Sequence, residues 1–91
     1  MNERIKELWN KAAESTAAFP SGQNNSWETQ VNFIEKFAEL IVKECIQVSE
    51  AHAMDLESQP TDPLLEAYED GVVNGIYEAT EAIKEHFGVE E

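Results

Sequence analysis

The chain has 91 residues, 42% hydrophobic and 27% charged, with 19 Asp and Glu against 6 Lys and Arg for a formal net charge of -13. That length predicts one domain, 1–91, with a thin core that burial by a partner or a second copy would help to complete. The acidic balance excludes direct binding to DNA, RNA or an anionic membrane, because each phosphate contact wants a Lys or Arg.

The charge is unevenly placed. Residues 1–49 carry seven acids and five bases, a net of -2, whereas residues 50–91 carry twelve acids and the single base Lys84, a net of -11. The second half is therefore a strong anionic field. It reads either as a solubility feature or as a surface for something basic. One cysteine, Cys45, makes no internal disulfide and fits a reducing compartment. The opening residues lack the apolar run of a signal peptide, and no stretch reaches the roughly 18–20 apolar residues of a membrane span, so a cytosolic place is expected.

Helical spacing dominates, and no stretch alternates as a half-buried strand would. The expected fold is all-α: three helices at about 2–15, 26–54 and 63–87, the last two forming a long antiparallel hairpin. In the first, Ile5, Leu8, Trp9, Ala12 and Ala13 share one side. Turn formers from Phe19 to Asn25 then end it. Asn25 or Ser26 is the expected N-cap of the second helix, and Asn25 with Glu28 has the form of a capping box. From there Trp27, Val31, Ile34, Ala38, Ile41, Cys45 and Val48 recur as a heptad seam. Phe33, Phe37 and Leu40 make a second row beside it, and Cys45 reads as a small core residue of the seam.

A second break spans Leu56 to Asp62, where Asp62 and Pro63 are the expected N-cap and first-turn pair of the third helix. That helix carries Leu65, Tyr68, Val72, Ile76, Ala79, Ile83 and Phe87 on one stripe. Gly88 supplies its left-handed stop, with Lys84 and His86 in the last turn, and Val89 to Glu91 are expected to fray. The second helix would span about 42 Å, longer than a monomer of this size, so it either breaks or is covered by a second subunit. A homo-oligomer is expected, with Trp27, Val31, Ile34, Ile41, Gly71 and Gly75 at its interface. The two glycines, four apart, admit either a close helix approach or a kink.

Little in the sequence carries reaction chemistry. Cys45 and His52 lie about 10 Å apart along one helix, too far for a nucleophile and its base. His52 and Asp55 are too few for a metal site, and no cofactor is expected. An all-helical Mg²⁺-dependent nucleotide pyrophosphatase needs E-x-x-E on one helix and E-x-x-D on the next; Glu66-Ala-Tyr-Glu69 is present, but its counterpart is Glu35-x-x-x-Glu39, which breaks the pattern. A non-enzyme is expected.

Three blocks, MNERIKEL at 1–8, EKFAELIVKEC at 35–45 and IKEHFGVE at 83–90, resemble small accessory proteins of tailed bacteriophages of enterobacteria. The resemblance implies a viral protein of the host bacterial cytoplasm and brings no catalytic residues. Proteins of that kind commonly act by stoichiometric binding, which implies inhibition of a host enzyme or antiviral defence protein. The acidic half suggests nucleic-acid mimicry toward a basic surface, with Glu66, Glu69, Asp70, Glu78, Glu81 and Glu85 as contacts. A second class is an oligomeric sponge for a nucleotide-type immune signal, using Trp9, Phe19, Trp27 and Tyr68 to stack on bases. Arg4, Lys6, Lys11, Lys36 and Lys43 would then meet the phosphates.

Overall fold

The structure, a computed structural model, describes residues 2–21, 25–60 and 62–89. It consists of three helices, α1 (Glu3–Ser15), α2 (Trp27–Ser58) and α3 (Glu66–Phe87), with no strand among the described residues. The all-α, three-helix fold is as expected. Gly22 and Asn24 of the first break, Thr61 of the second, and the tail residues Glu90 and Glu91 lie outside the described residues. Two compact units divide the chain, Met1–Val42 and Lys43–Glu91, and α2 contributes to both.

In the first unit, the Asn2 side chain caps α1 by accepting the Arg4 backbone N–H at 2.8 Å. The helix does not wait for the glycine and proline of the following break. Ala17 takes the left-handed conformation at φ 54°, the Ala18 N–H donates to the Ala13 carbonyl at 2.9 Å, and the Ala17 N–H donates to Glu14 at 3.3 Å. That is a Schellman stop built on alanine, where glycine would carry no steric cost. The Thr16 hydroxyl adds a bond to the Ala12 carbonyl at 2.7 Å.

The chain after α1 is fixed by side chains. Trp9 Nε1–H donates to the Pro20 carbonyl at 3.0 Å, and the Asn25 amide bonds both backbone groups of Phe19, at 2.8 and 3.1 Å. Ser26 is the cap of α2, accepting the Thr29 N–H at 3.1 Å. The Asn25–Glu28 capping box is replaced by this Ser26–Thr29 pair, because the Asn25 amide is already engaged with Phe19. The core is the contact of α1 with one row of α2: Ala12, Ala13 and Phe33 are buried, with Trp9, Ala18, Phe37 and Leu40 packed around them. Trp9 lies 4.4 Å from the Phe33 ring and 5.0 Å from Phe37, the latter edge to face. Two small alanines on α1 let these rings approach closely.

The heptad seam is left outside this core. Trp27 is 79% exposed and Ile34 60%, Ala38 is exposed, and Val31 and Ile41 are half-buried. The aromatic row wins α1 because Phe33 and Phe37 offer Trp9 more area and favourable ring geometry than the seam does.

The second unit holds the rest of α2 and α3. Ile46, Ala53, Val73 and Val89 are buried together with Thr80. Thr80 donates to the Ile76 carbonyl at 2.7 Å, so the Ser49 hydroxyl donates to Thr80, at 2.8 Å. One turn further, Lys84 reaches Glu50 at 2.6 Å and Glu81 at 3.2 Å. Cys45, expected in the core, is exposed instead, because Ile46 and Ala53 rather than the seam supply the buried positions of α2 here.

α2 runs to Ser58, past the expected end near 54, and closes with the Ser58 hydroxyl on the Asp55 carbonyl and Gln59 on the Asp55 carboxylate. α3 begins at Glu66 rather than 63. Asp62 does accept a backbone N–H, that of Leu64 at 2.9 Å, but the bond closes a turn over residues 63–65 before the helix starts. Gly88 makes the expected left-handed stop at φ 65°, and the Val89 N–H bonds the Lys84 carbonyl at 3.0 Å. Val89 is therefore buried and tied down, not frayed.

Three outcomes follow for stability. Phe33→Ala, which empties the centre of the first core, lowers unfolding free energy by about 3–4 kcal/mol in urea titration followed by circular dichroism. Ala17→Gly raises it by about 0.5–1 kcal/mol, since glycine adopts the left-handed stop without strain; no gain means the alanine stop carries no cost. The Glu50 hydrogen bond, first among its causes, holds the Lys84 ammonium above its usual 10.5, at about 12. A folded-state value raised in this way stabilises fully below about 10.5 and loses that stabilisation as pH climbs through about 12. The melting temperatures of wild type and Lys84→Met therefore differ by a constant amount from neutral pH to about 10.5 and converge toward about 12.

Candidate functional site

α3 presents two exposed strips within the second unit, on opposite sides of the helix. With 3.6 residues per turn, Asp70, Glu78, Glu81 and Glu85 share one sector of the helix, and all four are exposed. Glu66, exposed one turn before Asp70, adjoins that sector, whereas Glu69 falls on another and is half-buried, so the structure separates one of the six expected contact residues from the rest. Among the described residues no cation pairs with Asp70, Glu78 or Glu85. Glu81 accepts from Lys84, whose charge is taken mainly by Glu50. The one base of the second half is thus turned inward and meets the acidic strip at Glu81 alone.

The second strip is apolar. Tyr68 is 73% exposed and Phe87 59%, and Leu65, Val72, Ala79 and Ile83 are exposed as well. The stripe that looks most like a core in the sequence faces out, while α3 turns Val73, Tyr77, Thr80 and Lys84 inward. Gly71 and Gly75 flank the exposed stripe; a methyl group added at either would meet nothing within 4 Å, and α3 is continuous through both. Neither close packing within the chain nor a break in α3 accounts for them. The other expected interface residues belong to the first unit, where Trp27, Val31, Ile34 and Ile41 form the uncovered seam of α2.

A groove of about 350 Å³ opens where α2 turns into α3. Leu56, Val72, Val73 and Tyr68 give it apolar walls, and Glu57, Glu69 and Asp70 line it with carboxylates. Beside it the Tyr77 hydroxyl donates weakly to Glu57 at 3.4 Å. Partial burial first, then the Glu57 charge, raises the Tyr77 pKa above its ordinary value. Sequence reading did not find this groove, because its walls come from both sides of the break. The prolines at 60 and 63, which keep the break from continuing either helix, were its available signal.

Elsewhere the reactive residue types stay apart. Cys45 and His52 are both exposed on α2. Glu35 and Glu39 belong to the first unit, and Glu66, Glu69 and Asp70 to the second. Among the described residues no three His, Cys, Asp or Glu side chains come together as a metal-binding group, and Asp55 is engaged in ending α2. Trp9 is occupied by the first core, whereas Phe19, Trp27 and Tyr68 are exposed. No helix among the described residues is long and apolar enough to cross a membrane. Compared with known proteins, the chain matches no family model, and no curated protein or solved structure shows significant similarity to it.

Proposed function

We propose that this chain is a non-enzymatic interaction protein that acts by stoichiometric binding, setting the acidic strip of α3 against a basic surface of a protein partner. The observation that carries this reading is the exposed row Asp70, Glu78, Glu81 and Glu85, in which Glu81 alone among the described residues meets a cation, Lys84, with an exposed apolar stripe on the other side of the same helix. Charge steers and selects the partner, while the apolar stripe supplies area that leaves water on contact. Glu78, Glu81 and Glu85 are spaced by roughly 4.5 and 6 Å along the axis, a charge density of the same order as one nucleic-acid strand, which suits mimicry of nucleic acid. The block resemblance supports a host enzyme or antiviral defence protein as the partner, and the host cytoplasm as the place.

Self-association belongs to the same reading. A unit of two helices covers each helix on one side only, and the Trp27, Val31, Ile34 and Ile41 seam is a surface of the kind a second copy covers.

Affinity capture from enterobacterial lysate at about 50 mM salt tests the first part. The retained protein is expected to leave the column at about 500 mM salt and on addition of duplex DNA, and to be absent with the Glu78→Gln, Glu81→Gln, Glu85→Gln variant. Retention indifferent to salt and DNA counts against mimicry. Light scattering tests the second part: a dimer or larger species at both low and high salt, reduced to a monomer by Ile34→Glu, is expected. A wild-type monomer throughout the concentration range removes the oligomer from the reading.

A further inference from the structure

We propose that the groove at the α2–α3 turn is a receptor for a basic, amphipathic segment of the protein partner. One Lys or Arg of that segment sits among Glu57, Glu69 and Asp70, and a neighbouring apolar side chain rests on Leu56 and Val73. This rests on the reading above that the partner's surface is basic, and it names the place and chemistry of the contact.

The lining selects its occupant by charge. Three acidic residues line a space of about 350 Å³, and among the described residues no cation pairs with them; the Tyr77 hydroxyl at 3.4 Å from Glu57 is a weak contact. A phosphate, nucleotide or carboxylate ligand meets repulsion from the three acidic residues of such a groove. A wholly apolar ligand strips water from the carboxylates and returns nothing for it. A cation with an apolar neighbour satisfies both parts: charge-assisted hydrogen bonds at the rim and desolvated contact on the walls. Arginine fits better than lysine, because its planar fork can bridge two carboxylates and its stem can lie along Val72.

Size points to a segment rather than a folded surface. The groove is at the lower end of the roughly 300–1,000 Å³ typical of ligand sites, room for one or two side chains. A side chain that fills a lined depression at the centre of a wider charged contact is where binding energy concentrates. Asp70 lies both on the groove and on the acidic strip, so an anchored segment leads directly onto the wider anionic surface.

The test is fluorescence anisotropy with a labelled synthetic helix-forming peptide that carries arginine and leucine on one face. Saturable binding is expected, weakened at least about tenfold when the leucines are serine, and at least about tenfold in the Glu57→Gln, Glu69→Gln, Asp70→Asn variant. Val72→Arg, which brings a competing cation to the groove wall, gives the same loss without removing any carboxylate, and circular dichroism checks that both variants are folded. Glu35→Gln, an exposed acid of the first unit, is expected to stay within about twofold of wild type. An absence of saturable binding, equal affinity for the serine peptide, or equal affinity of the groove variants overturns the groove as a receptor. The lysate experiment separates the two readings: a partner kept by the groove variants but lost by Glu78→Gln, Glu81→Gln, Glu85→Gln overturns the groove alone, and a partner insensitive to every acidic substitution overturns the function itself.

Discussion

Two packed helices bury only the strip along which they touch. Every other feature of this protein answers to that constraint. In the first unit α1 has one apolar side to offer and α2 has two, so one must stay uncovered. The choice is made by Trp9: its ring meets Phe33 and Phe37 at 4.4 and 5.0 Å, and its indole N–H holds the chain beyond α1 through Pro20. Aromatic area and ring geometry favour that row over the aliphatic seam. The exposed Trp27 and Ile34 are the complement of that choice.

The second unit solves the same problem with more polar groups. Ser49 and Thr80 share a hydrogen bond inside the contact, and Glu50 and Lys84 close it one turn on. Such pairs add little net stability but are costly to misalign, so they fix which residues of α2 and α3 lie opposite each other. A polar contact of this kind also releases the apolar residues of α3 for other use. Tyr68, Val72, Ile83 and Phe87 are exposed because the inner side of the helix is committed to Val73, Tyr77, Thr80 and Lys84.

Helix number, the two breaks and the Gly88 stop were legible in the sequence because each depends on residues close together in the chain. Spacing by three and four and a glycine at a left-handed position are local signals. What was illegible depends on choices among near-equals. Nothing in the sequence ranks the Phe33 row above the Trp27 seam without knowing what α1 brings to it. The alanine at 17 gives no sign of its left-handed conformation, since that position is ordinarily marked by glycine. Asp62 and Pro63 do mark a turn, but the turn closes on Leu64 and displaces the helix start to Glu66. Of the six acids picked out by charge, helical geometry gathers Asp70, Glu78, Glu81 and Glu85, leaves Glu66 adjoining Asp70 and sends Glu69 elsewhere, an arrangement countable from the numbering once α3 is taken as one helix. The groove was beyond reach because it depends on how the turn spaces Leu56 from Val72 and Val73.

The uneven charge bears on how the exposed surfaces divide their work. A second copy brought against residues 50–91 sets a net of -11 against itself, whereas residues 1–49 carry only -2. Like charges in contact weaken association steeply when water is excluded, and salt relieves only the exposed share. Self-association is therefore least opposed along Trp27, Val31, Ile34 and Ile41, and most opposed along α3. α3 carries Asp70, Glu78, Glu81 and Glu85 on the side away from its apolar stripe, so in the proposed reading their field opposes a second copy along this helix and favours a surface of opposite sign. Hydrophobic area alone would not distinguish a sister chain from a foreign partner; the charge carried on the same helix would.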